Sequence, residues 1–208
     1  MATASELTAD RRAQILRAAM HCFAKCGFHQ TSMHDISAEA GISVGLIYRY
    51  FPSKEAVISA ITEEHKREIG ELVARARLAT TLLDALEIIF TAHCCDDAPQ
   101  IQSAFVVDLF AEAGRHANIA KMVRDVVETL KRGVTELIEH SPDFQRSGHE
   151  LQPHEMSELI FAVARGMMMR DVLESAQTAS TQRRERQLTV VRHLWRLLFD
   201  HANEPALS

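Results

Sequence analysis

The chain has 208 residues, 47% hydrophobic and 25% charged, proportions of a globular protein that exclude a disordered or fibrous chain. Its eight glycines and five prolines compare with about 15 and about 10 at average usage, too few for turn-rich sandwiches, barrels and doubly wound sheets. The formal net charge of −5 taken as a whole speaks against nucleic-acid binding, but residues 1–54 hold six Lys/Arg and four acids, net +2, and the remainder 17 basic and 24 acidic residues, net −7. Local charge, not the total, decides where a polyanion sits.

Met1–Arg12 has no apolar signal region and no apolar run approaches the ~20 residues of a membrane span. A cytoplasmic chain without membrane association is expected. Cys22, Cys26, Cys94 and Cys95 form no CxxC pair, so no disulfide framework is expected.

Met1–Thr8 reads as a frayed polar arm. From Asp10, the spacing of Ile15, Leu16, Ala19, Cys22 and Phe23 predicts a helix that Gly27 stops. Ser32 and Asp35 have the spacing of a capping box, opening a short helix that Gly41 ends. Ser43 caps the next, Val44 to Phe51, before Pro52. Two short helices around a glycine-containing turn are the pattern of a helix-turn-helix. Ser53 then caps a long charged helix to about Leu78. Further helices are predicted over Thr80–Cys95, Pro99–Ala113, Ala117–His140, Pro153–Ser175 and Gln182–Ala202, with Ser141–Gln152 as a loop. The expectation is an all-α chain of about nine helices, divided into residues 1–53, a three-helix DNA-binding domain, and residues 54–208, a helical effector-binding and dimerisation domain.

Residues 11–58 carry a specific resemblance. Ile15-Leu16, Ala19, Phe23-Ala24, Gly27-Phe28, Thr31-Ser32, Asp35-Ile36, Ala40-Gly41-Ile42-Ser43, Gly45 and Tyr48-Arg49-Tyr50-Phe51-Pro52-Ser53-Lys54-Glu55 resemble the DNA-binding domain of TetR/AcrR-family transcriptional regulators. Ser37 and Leu46 depart from the family's usual Ala and Thr. The rest of the chain is similar in helix layout, loosely to the BetI-like group. The resemblance implies a homodimeric, ligand-responsive DNA-binding regulator, a repressor released from a palindromic operator by a small-molecule effector.

A reading helix must enter the major groove while flanking groups anchor phosphates. Val44, Gly45, Tyr48 and Arg49 fall on the expected outer face of the third helix. Arg49 suits a guanine edge, and Gly45 permits close approach to a base. Thr31, Ser32, Ser43, Tyr50 and Lys54 are the phosphate-anchor candidates, with His34 early in the second helix. The resemblance also implies a cavity among the fifth to eighth predicted helices, for an effector that is largely apolar. Its candidate lining is Phe90, His93, Phe105, Phe110, Met122, Val126, Arg165, Met167, Met168 and Asp171. Dimerisation is expected through the eighth and ninth predicted helices, by Leu159, Ile160, Val163, Leu173, Val191, Leu194, Trp195 and Leu198, since both helices are apolar over more than a narrow stripe.

Two other functional classes find partial support in the sequence. Gly41-Ile42-Ser43-Val44-Gly45 matches the G-x-S-x-G of a hydrolase elbow, but that needs a strand before the serine. A helical adaptor binding protein through the last two helices is the other. Cys22 and Cys26 are four residues apart on the first helix with His29 beyond, but Cys22 occupies a core position where it serves as a small apolar residue. The run His93-Cys94-Cys95-Asp96-Asp97 sits at a helix end, where consecutive side chains point in different directions and do not converge. No metal, cofactor or enzymatic activity is expected.

Overall fold

The computed structural model describes residues 4–94, 99–148, 150–173 and 180–199. Ten helices and no strand occur among them: α1 (Ala4–Gln30), α2 (Met33–Glu39), α3 (Val44–Tyr50), α4 (Lys54–Ala76), α5 (Leu82–Cys94), α6 (Pro99–Ala113), α7 (Ala117–Glu139), α8 (Pro142–Ser147), α9 (Pro153–Leu173) and α10 (Ser180–Phe199). No helix among the described residues is long and apolar enough to cross a membrane.

Two expectations are corrected. The chain is helical from Ala4, not frayed to Thr8, because Glu6, Leu7 and Ala9 favour helix and nothing before Gly27 breaks it. The expected loop at 141–152 contains α8. Ser141 accepts a hydrogen bond from Phe144 N at 3.3 Å, Pro142 occupies the first turn and Gly148 ends the helix. Proline in that position favours a helix start, although the Pro and Gly count had suggested a loop.

The chain forms two compact units. The first contains residues up to Lys66 together with Gln100–Val126, and the second contains Arg67–Pro99 and the residues from Val127 onward. In the first, Ile15, Ala19 and Phe23 of α1 are buried with Ile36, Ile47 and Phe51. Phe23 stacks on Phe105 of α6 with ring centroids 6.0 Å apart. In the second, Arg192 of α10 forks both carboxylate oxygens of Glu87 on α5, and Phe144 meets Phe199 edge-on. Lys131 of α7 pairs with Glu158 of α9.

Helices α4 and α7 approach closely at Gly133. A Cβ on Gly133 would lie 2.6 Å from Cγ2 of Val73, a β-branched side chain with little rotameric freedom. Gly70 on α4 has nothing within 4 Å of the same position. Gly133→Ala is expected to lower stability, because overpacking costs about 1–3 kcal/mol against about 1 kcal/mol gained in helix propensity. Gly70→Ala should instead raise stability by up to about 1 kcal/mol. Urea denaturation of both variants measures the contrast.

Candidate nucleic-acid interface

The first unit presents a complete helix-turn-helix. At the start of α2, Ser32 Oγ accepts from Asp35 N at 3.2 Å, while Ser32 N donates to Asp35 Oδ2 at 2.8 Å. This is the reciprocal capping box that the spacing predicts. The chain then turns through Gly41 at φ 64°, left-handed backbone that glycine adopts without strain. Ser43 caps α3, its Oγ accepting from Leu46 N at 3.3 Å. Gln14 of α1 donates to Ala40 O at 2.6 Å, and the Arg12 guanidinium lies 4.6 Å from the Phe51 ring centroid. These two supports from α1 were not legible in the sequence, since both belong to a polar face with no spacing that links it to the turn.

The faces of α3 divide as its period requires. Ile47 and the following Phe51 are buried, Leu46 is half-buried, and Gly45, Tyr48 and Arg49 are exposed. Tyr48 keeps 51% of its surface. Val44 and Tyr50 are half-buried, and Ser32, His34 and Ser43 are exposed. Nine of the ten expected contact residues thus keep some surface, and Thr31 does not.

Thr31 and Lys54 are engaged elsewhere. Thr31 is 2% exposed, and its hydroxyl is placed to donate to Cys22 O at 3.1 Å or Gly27 O at 2.8 Å. It closes the end of α1 rather than facing outward. The Lys54 ammonium donates to Phe28 O, to Thr31 O at 2.8 Å and to His29 O at 3.4 Å, 4.2 Å from the Phe28 ring centroid. Burial pushes its pKa down, partly offset by Glu55 and Glu112. All three of its N–H donors have carbonyl partners, so the expectation that it anchors phosphate is replaced by a helix-capping role.

Gly27 has φ 78° and ψ 160°. It breaks α1 as expected, but the chain resumes a helical turn through Gln30. Asp108 of α6 accepts from Phe28 N at 2.7 Å just beyond the break.

The effector candidates are scattered differently from the expectation. Phe105 is buried against Phe23 and is a core residue. Phe110 is exposed, and Met122 and Val126 are half-buried, all in the first unit. Phe90, Met167 and Met168 are half-buried in the second, and Arg165 is exposed. The side chains of His93 and Asp171 lie outside the described residues.

The expected dimer residues also divide. Ile160, Val191 and Trp195 are buried within the chain, so they belong to its own core. Sequence period marks an apolar face without saying which helix covers it. Val163, Leu194 and Leu198 are half-buried. Among the described residues, the large apolar side chains left exposed on these helices are Leu159, Met169, Val172 and Leu173 on α9, and Val190 and Leu197 on α10.

Ser43 follows α2 and a turn, where a hydrolase elbow requires a strand. Cys22 is buried and Cys26 exposed, both as free thiols. Burial, then the charges of Glu39 and Asp35, push the Cys22 thiol up, which makes it a poor nucleophile. Cys95 lies outside the described residues, as does the Cys94 side chain.

The family described as "Bacterial regulatory proteins, tetR family" matches residues 15–61. The chain is 30% identical over 146 residues to the HTH-type transcriptional regulator UidR of Escherichia coli K12, covering 68% of this chain and 69% of that protein. It is 38% identical over 76 residues to the HTH-type transcriptional repressor KstR of Mycolicibacterium smegmatis, covering 36% of this chain and 37% of that one. Among solved structures, Salmonella enterica GusR superposes with a TM-score of 0.72 at 27% identity, over 92% of this chain and 96% of that one.

The capping box is expected to add an acid-dependent contribution to the stability of this unit. Bonds from the Ser32 hydroxyl first, then the Ser32 backbone, hold the Asp35 carboxyl below its usual pKa. A depressed carboxylate contributes stability that is fully present above its unfolded pKa of about 3.9 and is lost as pH falls through the folded value. Ser32→Ala is expected to cost about 1 kcal/mol at neutral pH and to weaken the acid dependence below about pH 4. Denaturation at pH 7 and at acid pH measures both.

Proposed function

The chain belongs to the tetR family of bacterial regulatory proteins, and we propose that its reading head contacts an operator through Gly45, Tyr48 and Arg49 on α3, with Val44 at the edge of that face. It is a ligand-responsive transcriptional regulator that binds DNA. The observation that carries the assignment is the division of α3, with Ile47 and Phe51 buried and Gly45, Tyr48 and Arg49 exposed. Arg49 is the side chain suited to a guanine edge. Ser32, His34, Ser43 and Tyr50 flank it as phosphate or sugar contacts. The Ser43 oxygen accepts from Leu46 N, which leaves its O–H available to donate to a phosphate.

A head carrying only net +2 gains little from bulk attraction, so two heads on a palindrome are needed for useful affinity. The dimer face is proposed on α9 and α10. Leu159, Ala162, Gly166, Met169 and Leu173 recur at steps of three and four and are all exposed, a stripe on one side of α9. Gly166 has open space around its Cβ position, which admits a second helix closely. Val190 and Leu197, seven residues apart, are exposed on α10. Two copies of this pair form a symmetric four-helix interface.

The effector is proposed to be a small, largely apolar molecule held in the C-terminal helices, with Phe90, Met167 and Met168 as lining. Helix α4 contributes to both compact units. Ligand that prefers a state with α4 displaced would move the two reading helices away from the ~34–36 Å that suits successive major grooves.

Arg49→Ala is expected to weaken operator binding by about 1–3 kcal/mol and to relax sequence preference. Equal weakening on every DNA would make Arg49 a phosphate contact. Gel-shift titration against operator and scrambled duplexes reads the difference. Met169→Glu combined with Leu173→Glu should yield a folded monomer with lost palindrome binding. Light scattering reads its mass, and an unchanged dimer would place the interface elsewhere.

A further inference from the structure

Glu112, near the end of α6, is 1% exposed. Its Oε1 accepts from Arg115 Nη2 at 2.6 Å. Its Oε2 is buried without a hydrogen-bond partner, yet His29 Nε2 and His116 Nε2 each lie 3.3 Å from it. The three ligand atoms all fall within 4.8 Å of one another. Both imidazoles are exposed, and their rings meet edge-on with centroids 5.6 Å apart. His29 and His116 line an open pocket of about 470 Å³ with Phe28, Lys54, Glu55 and Arg115.

We propose that His29, Glu112 and His116 form a binding site for a zinc-class divalent transition metal. Two imidazoles and one carboxylate are a zinc ligand set, and they leave a fourth position for water or another ligand. Metal–ligand bonds of about 2.0–2.2 Å at tetrahedral angles place neighbouring donor atoms about 3.4 Å apart. Both His–Glu distances are already close to that, so only the imidazole pair must draw together. The turn that joins α6 to α7 fixes two of the ligands, since Arg115 N and His116 N both donate to Glu112 O at 2.9 Å. Arg115 holds Oε1 and so aims Oε2 at the site, the outer-shell role that orients ligating carboxylates. Arg115 and Lys54 oppose a cation electrostatically; the buried, unpartnered Oε2 is the feature that a cation satisfies and an anion does not.

His29 stands between the break at Gly27 and the cap at Ser32, at the entry to the helix-turn-helix. A metal bridging it to Glu112 and His116 ties that entry to the α6–α7 turn. This cluster is not legible from spacing, because 83 positions separate the first and second ligands.

The full chain, stripped with a chelator and dialysed, is titrated with zinc(II) by calorimetry and with cobalt(II) by absorption. The expected result is one ion per chain, with tetrahedral cobalt bands, and tighter binding at pH 7.5 than at pH 5.5, since imidazole must be deprotonated to ligate. His29→Ala and His116→Ala should each weaken binding by more than about tenfold, the least that even an outer-shell change costs. Cys26→Ser should leave it unchanged. The absence of saturable binding, retention of full affinity in both histidine variants, or loss of binding in Cys26→Ser would overturn the proposal. Because both histidines are on the surface, the variants are expected to fold, and circular dichroism reads this independently.

Discussion

A helix leaves its last carbonyls without partners, and the way this chain satisfies them at the end of α1 determines the geometry of the reading head. Gly27 interrupts the helix, exposing carbonyls at Phe28, His29 and Thr31, and one ammonium, that of Lys54, meets all three. Lys54 is the first residue of α4. A single cation therefore closes the loop that contains α2 and α3, drawing the start of α4 to the end of α1. Thr31 adds its hydroxyl, and Asp108 accepts the Phe28 amide. The backbone groups at this junction, three carbonyls and the Phe28 amide, are matched, which is what a buried chain break requires.

Given that closure, the head needs only a small core. Ile15, Ala19 and Phe23 on one helix cover Ile36, Ile47 and Phe51 on the other two. With the inner positions of α3 committed, the outer positions are left to solvent. The weak positive charge of the head then has a plain meaning. On the reading proposed above, recognition rests on placed donors and on repetition by symmetry more than on bulk attraction, because local charge governs where a polyanion sits.

The helix-turn-helix was legible because its signals are local: a serine and an aspartate three residues apart, a glycine in the turn, a serine cap. The all-α class followed from the scarcity of glycine and proline. What stayed hidden depends on partners distant in sequence. Thr31 and Lys54 looked like anion ligands until the carbonyls of α1 were seen around them. Trp195 and Val191 looked like a subunit interface because their period marks an apolar face and not its neighbour. Phe105 became core through Phe23, 82 positions away. Helix α8 is hidden by an ambiguous local signal: Pro142, Gly148 and the polar residues between them suit a loop as well as a helix that starts at its proline.

Gly45 has nothing within 4 Å of its Cβ position, and Arg49 projects from the same side of a helix whose inner positions are already filled. Substitutions on this face leave the packing of the head intact. The residues of α3 that fill the core and those proposed to meet DNA are therefore different residues of one seven-residue helix. On that proposal a lineage exchanges one operator for another through steps that each leave a folded protein, and α3 is a place where recognition can be rewritten without rebuilding the domain beneath it.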